Sequence, residues 1–289
     1  MAEEKVTLHI DDTELRLLTA RGASVERWGS AALEPGVVSE GLIADGSRLG
    51  LALDALFSKH QARRHGVIVS LSGLRSVTRL INIPRMKPSL VSAAIEQEAK
   101  RELPVPVETL YLHWQSIAFT EQEQKFFLLG IPREFINANV ATLRQCRVEP
   151  RSMDLKPLAL VRAVNKDEAI VADLEASSLD IVMVVGGIPV IMRSLVLRQG
   201  LSLQEAASRL VEELSRTVRY YNSIDPSRPL PNTTPLYLTG KLGREAEVSK
   251  LVASGVDFKI EGLDPPLQCP PSLPLGEYMV NIGLALKRS

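Results

Sequence analysis

The chain has 289 residues, 45% of them hydrophobic, which is enough apolar material for one or two domains with substantial cores. Lys+Arg and Asp+Glu number 34 each and aromatic residues make up 4%, so the chain supplies neither an electrostatic grip on phosphate backbones nor a platform for stacked bases, and nucleic-acid binding is not expected. The 2 cysteines, Cys146 and Cys269, are too distant for a CxxC site and too few for a disulfide framework, which fits a reducing compartment.

The charged N-terminus, Met1 to Lys5, runs straight into a strand pattern, unlike a signal peptide. Val6–Ile10 alternates apolar and polar, Asp11-Asp12-Thr13 supplies a turn, and Leu15–Thr19 returns, predicting a hairpin. Val25–Ala32 suits a third strand, Gly41–Gly46 a loop, and Leu49–Phe57 has helical spacing. Gly66–Gly73 reads as a buried strand. Val77–Ile83 reads as another strand, ending at Pro84. Pro88-Ser89 opens a helix that Pro104 and Pro106 stop. Strands follow at Leu110–Ile117 and Lys125–Ile131, then helices at Glu134–Cys146 and Asp154–Val164.

A second strand-turn-strand unit comes next, with strands at Ala169–Asp173 and Leu179–Val185, a turn at Gly186-Gly187, and a return from Ile188 to Leu197. Its apolar run, Ile181–Met192, falls short of the roughly 20 residues that cross a bilayer. Ser202 and Glu205 form a capping box before a long amphipathic stripe, Ala207–Tyr221. A Pro-rich loop, Pro226–Pro235, leads to the strand Leu236–Gly240. A helix at Arg244–Ala253, a strand at Val256–Ile260, a second Pro-rich stretch at Pro265–Pro274 and a closing helix at Gly276–Leu286 complete the chain. Hairpins lead both halves, which suggests two related α/β lobes. The histidines His9, His60, His65 and His113 have no ligand spacing, and neither GxSxG nor GxxxxGK[ST] occurs, so enzyme chemistry is thinly supplied.

Two hairpins with acidic turns, one opening each half, and a late strand ending in Thr239-Gly240 resemble the plan of the actin/Hsp70-like ATPase fold. Within it the chain resembles the type IV pilus assembly protein PilM family, relatives of the cell-division protein FtsA. The likeness is carried by Leu71-Ser72-Gly73, by Arg79 to Met86, by Ala94 to Pro104, by Leu158 to Ala163, by Leu236 to Gly240 and by Asn281 to Lys287. The resemblance implies an α/β, ribonuclease H-like two-lobed fold with a PilM-type 1C subdomain. Subdomain 1A would span 1–80, with 144–168 and 272–289 returning to it. Subdomain 1C would span 81–143 and subdomain 2A 169–271. A 2B subdomain is expected to be missing, because Gly200 leads directly through the capped helix to Tyr220-Tyr221.

Family members place Asp-x-Gly at each phosphate hairpin, since glycine lets backbone N–H groups close on a phosphate. Here His9 and Asp11 stand at those positions in the first hairpin. Asp173-Leu174-Glu175 keeps the Asp but not the Gly in the second, and the late glycine turn is reduced around Gly240. The resemblance with these departures implies a pseudo-ATPase with no cofactor and no metal. ATP and Mg²⁺ enter only in the alternative, an actin-like protein that switches or polymerises with nucleotide. As implied partner the family offers the short cytoplasmic tail of a PilN-like bitopic membrane protein, with the chain itself or other pilus platform proteins as further partners. The protein would then be cytoplasmic and peripheral at the inner membrane through that partner. The expected tail-binding residues are Pro84, Met86, Glu98, Arg101, Leu103 and Pro104. The simpler expectation is that Glu98 and Arg101, three apart on a helix, only pair with each other. The actin-like part of a type II secretion component is a further alternative. That protein continues into a transmembrane helix, whereas this sequence stops at Ser289.

Overall fold

The computed structural model describes residues 3–224, 226 and 229–287. Met1, Ala2, Asp225, Ser227, Arg228, Arg288 and Ser289 lie outside the described residues, and with them part of the expected Pro-rich connection. The alternating segments at the start form β1 (Glu4–Ile10), β2 (Glu14–Arg21) and β3 (Ser24–Ala32). The expected loop at Gly41–Gly46 contains a short strand, β5 (Leu42–Ile43), which forms a two-rung ladder with β4 (Val38–Ser39) just before it. Helix α1 (Gly46–Lys59) is capped by Asp45, whose side chain accepts from the Arg48 N–H, and buries Leu49, Leu53, Leu56 and Phe57. Then come β6 (His65–Leu71), β7 (Val77–Pro84), α2 (Pro88–Glu102), β8 (Leu110–Phe119), β9 (Glu123–Pro132) and α3 (Arg133–Gln145).

Two expectations need correction. The helix expected from Asp154 starts at Lys156, and Glu149–Leu155 form a strand, β10, before α4 (Lys156–Val164). That strand carries little apolar alternation, and its Pro150 is tolerated because β10 lies on a sheet edge. Later, the strand expected at Val256–Ile260 is only an isolated bridge between Ile260 and Leu236. Between these points run β11 (Ala169–Leu174), β12 (Ser178–Val185), β13 (Ile188–Val196), α5 (Leu203–Ile224), β14 (Leu236–Thr239) and α6 (Ala246–Gly255), and α7 (Leu275–Ala285) follows. The capping box forms as read: the Glu205 N–H donates to Ser202 Oγ at 3.2 Å and the Ser202 N–H to Glu205 Oε2 at 2.8 Å.

The chain divides into two compact units. Arg75–Ala141 is one of them. Its sheet has the order β7-β9-β8 and is antiparallel throughout. Helix α2 buries Ile95 and Ala99, four residues apart, in a core with Ile81, Ile83, Phe126 and Leu128.

The other unit contains the residues up to Leu74 and those from Thr142 onward. It repeats one topology twice. In the first sheet, order β10-β6-β1-β2-β3, an antiparallel meander β1-β2-β3 is joined on the β1 side by parallel β6. In the second, order β13-β12-β11-β14, the meander β11-β12-β13 is joined on the β11 side by parallel β14. Helices α4 and α7 supply the middle of a core shared by both sheets, with Leu18 and Ile68 from one and Val171 and Val182 from the other. The outer faces are covered by α1 on the first sheet and by α5 and α6 on the second. α4 and α7 cross so closely that a Cβ at Gly283 would lie 1.8 Å from the Ala159 carbonyl oxygen, so only glycine fits there. Within the described residues, the connection from β13 to β14 holds one helix, α5. The result is a two-lobed α/β fold.

Candidate functional site

The ends of the two leading hairpins face each other within this unit, and the residues singled out by their departures converge there. His9 near the end of β1 is almost fully buried, its Nδ1 2.7 Å from Ser70 Oγ on β6. Burial, reinforced by the positive charges of Lys156 and Arg16, holds its pKa well below the ordinary histidine value, so the ring is neutral.

Asp11 spends its carboxylate on its own turn: Thr13 N–H and Oγ1 donate to its Oδ1 at 3.1 and 3.0 Å. This is an Asx-type turn. Asp12 accepts from the Glu40 and Gly41 N–H groups at 2.7 and 3.0 Å and so ties the β4–β5 connection to the hairpin.

Across the cleft, the second hairpin buries Asp173, Glu175 and Asp180. Two cations that the sequence reading missed meet them. Arg16 on β2 is 1% exposed and reaches Glu175 with both terminal nitrogens, at 2.5 and 3.0 Å, while its Nε donates to Glu14 at 3.1 Å. Lys156 at the start of α4 is 4% exposed, with Nζ 2.6 Å from Asp173 Oδ2 and 2.9 Å from Asp180 Oδ2. β10 delivers it: the pairing of Asp154 with Ser70 and Leu155 with Leu71 sets the helix start beside the end of β6. Burial opposes the Lys156 charge, but Asp173 and Asp180 outweigh it and push its pKa well above normal. Burial also raises Glu175, to about 7, against the pull of Arg16, and it raises Asp180 against the pull of Lys156.

Further bonds finish the closure. Thr239 Oγ1 donates to Asp173 Oδ1 at 2.6 Å, and the Ser194 hydroxyl donates to Asp180. The Lys241 N–H donates to Glu175 Oε2 at 3.3 Å. Gly240 has φ +82°, and a Cβ there would lie 2.5 Å from the Leu174 carbonyl oxygen, so this glycine serves the contact between β14 and the hairpin turn.

A cavity of about 20 Å³ in the cleft is lined by His9, Asp11, Asp12, Lys156, Ser177 and Asp180 among others. Larger recesses lie elsewhere in the unit. One of about 400 Å³ runs along α1 by Gly50, Leu51 and Cys146, and one of about 580 Å³ lies beside Val196, Leu201 and Arg209. Among the described residues no group of three His, Cys, Asp or Glu side chains converges in a metal-binding arrangement, and no helix is long and apolar enough to cross a membrane.

The residues expected to hold a peptide lie on the Arg75–Ala141 unit, and they differ in availability. Pro84 ends β7 and is exposed, as is Pro104 after α2, while Met86 is half-buried against the unit's core. Leu103 is a member of that core and is not a surface anchor. Arg101 donates to Glu98 at 3.3 Å.

Duplicated meander-plus-parallel-strand sheets facing each other across two central helices define the class of protein: it has the actin-like ATPase fold. The chain belongs to the family described as type IV pilus assembly protein PilM, whose profile matches residues 9–200. Among solved structures, the chain resembles one titled "PilM-PilN type IV pilus biogenesis complex", with 20% identity and a TM-score of 0.80, covering 99% of this chain and 98% of that one. It also resembles the ethanolamine utilization protein EutJ from Carboxydothermus hydrogenoformans, with 12% identity and a TM-score of 0.59 over 99% and 90% of the two chains. The third is the cytoplasmic domain of EpsL, an inner-membrane component of the Vibrio cholerae type II secretion system, with 12% identity and a TM-score of 0.55 over 99% and 97%. No curated protein matches the chain closely enough to add a relative by sequence.

Proposed function

We propose that this PilM-family chain is a non-catalytic component of a type IV pilus assembly platform, held at the inner membrane by the short cytoplasmic tail of a PilN-like protein. The observation that carries the non-catalytic reading is the filled cleft. Arg16 with Glu175, and Lys156 with Asp173 and Asp180, occupy the space between the hairpins with the protein's own charges. The cavity of about 20 Å³ among these groups has room for about one water, far from the volume of a nucleoside triphosphate. A triphosphate would have to displace buried, mutually satisfied ion pairs and then face Glu14, Asp173, Glu175 and Asp180.

The partner reading is supported by family membership and by the complex with PilN named for the similar structure. The surface offered for it is the start of α2 and the end of β7, where Pro84 and Met86 provide an extended segment beside an apolar, deformable side chain.

The test titrates the full chain by calorimetry, first with ATP and Mg²⁺ to millimolar concentration, then with a synthetic tail of a PilN-like protein encoded beside it. No heat from ATP and a saturable heat from the tail, weakened by Met86→Glu, is the expected result. A micromolar ATP constant overturns the non-catalytic reading, and a tail that gives no heat overturns the partner reading.

A further inference from the structure

The cavity at the centre of the cleft contains two polar atoms with nothing to bind. His9 Nε2 and Ser177 Oγ are buried and have no hydrogen-bond partner in the protein. Both residues are more than nine-tenths buried, and both line the same space. Buried polar atoms in folded proteins are almost always satisfied, and where the protein does not do so an ordered water does.

We propose that this cavity is a binding site for one water molecule, held between His9 of the first hairpin and Ser177 in the turn of the second. The volume of about 20 Å³ matches a single water. The charges of the lining select a neutral occupant. A cation would meet the Lys156 ammonium, which already sits on Asp173 and Asp180 at 2.6 and 2.9 Å. An anion would meet Asp11, Asp12 and Asp180. A water can donate to one partner and accept from the other, whichever tautomer His9 adopts against Ser70. The hydrogen-bond chain then runs from Ser70 on β6 through His9 and the water to Ser177. It joins the two sheets by a third link, independent of the Arg16 and Lys156 ion pairs.

The experiment is a crystal structure of the full chain at about 2 Å or better, with a second crystal soaked in Mn²⁺. One peak within about 2.6–3.2 Å of both His9 Nε2 and Ser177 Oγ, without anomalous signal after the soak, is expected. An empty cavity, or a manganese peak in it, overturns the proposal. A solution measurement covers the case in which crystals fail. Oxygen-17 relaxation dispersion of the parent chain counts long-lived internal waters, and Ser177→Val should remove one of them. Ser177→Ala serves if the valine variant does not fold, with the same loss expected. A count unchanged in a folded variant overturns the proposal.

Discussion

The two leading hairpins share a topology and handle charge in opposite ways. The first is self-contained: Asp11 and Asp12 are absorbed by backbone N–H groups and the Thr13 hydroxyl within the same lobe, and one strand carries a cation, Arg16, that points out of it. The second is not. Asp173, Glu175 and Asp180 are buried with no lysine or arginine of their own strands among their ion-pair partners, and they depend on Arg16 from β2 and Lys156 from α4. Two copies of one architectural plan have therefore become complementary. One lends positive charge and the other needs it, so the second lobe is electrostatically incomplete without the first.

The sharpest way to break that dependence is to remove a lender. Lys156→Met should cost about 3–5 kcal/mol in urea-induced unfolding, because it leaves two buried carboxylates unpaired. Arg16→Met should cost a similar amount, and Arg16→Met with Glu175→Met should recover much of it, since a buried pair replaced by apolar side chains leaves no orphan charge. A loss below about 1 kcal/mol for Lys156→Met would show that the second hairpin does not rely on the ammonium.

Gly240→Ala strikes the same hairpin through its backbone. With φ +82° and the Leu174 carbonyl in the way, a loss of about 2–3 kcal/mol by thermal or chemical unfolding is expected. Gly66→Ala, with φ +73° and open space around it, should lose about 1 kcal/mol or less and serves as the control for strain alone.

Acid and base should act on the two hairpins with opposite sign. His9 has a folded pKa well below its unfolded value, so its contribution is complete above about pH 6.5. It is lost as pH falls, because the unfolded chain then binds a proton the folded one refuses, at about 1.4 kcal/mol per pH unit. Glu175 is raised to about 7, so the folded chain holds the proton more tightly there and stability falls as pH rises from about 4.5 through 7. Subtracting the pH profile of His9→Gln from that of the parent isolates the first slope, and Glu175→Gln isolates the second. Parallel profiles for parent and both variants would contradict the assignment.

The smallest effect belongs to the self-contained turn. Thr13→Val removes one hydrogen bond to Asp11 and should cost about 0.5–1.5 kcal/mol in chemical unfolding.

The elements were legible in the sequence wherever an apolar rhythm marked them. The alternation of Val6–Ile10 and the capping box at Ser202 placed their strand and helix within a few residues. β10 escaped because Glu149–Leu155 owes its strand state to parallel pairing with β6 rather than to its own pattern. The site was legible as a set of departures: His9, Asp11, Asp173, Glu175 and Gly240 do converge on one cleft. Their resolution was not legible. Arg16 lies 159 residues from Glu175, and an arginine between two buried leucines gives no local sign of its partner. Lys156 reads as an ordinary helix start until β10 is known. Glu14 and Arg16, two apart on one strand and so on one face, were the available clue.

The closing helix has a consequence for synthesis on the ribosome. Asn281 Nδ2 donates to the Thr7 and Arg16 carbonyls, at 3.3 and 2.9 Å, and Lys5 Nζ donates to the Ala285 and Lys287 carbonyls at the helix end. β1 is therefore bonded by a helix made far later in the chain. Arg75–Ala141 is contiguous and can close while translation continues, but the first sheet must wait with a buried-type hairpin exposed until α7 has left the exit tunnel. From the emergence of β1 to that of α7, this hairpin is thus the stretch of the nascent chain with most need of a chaperone.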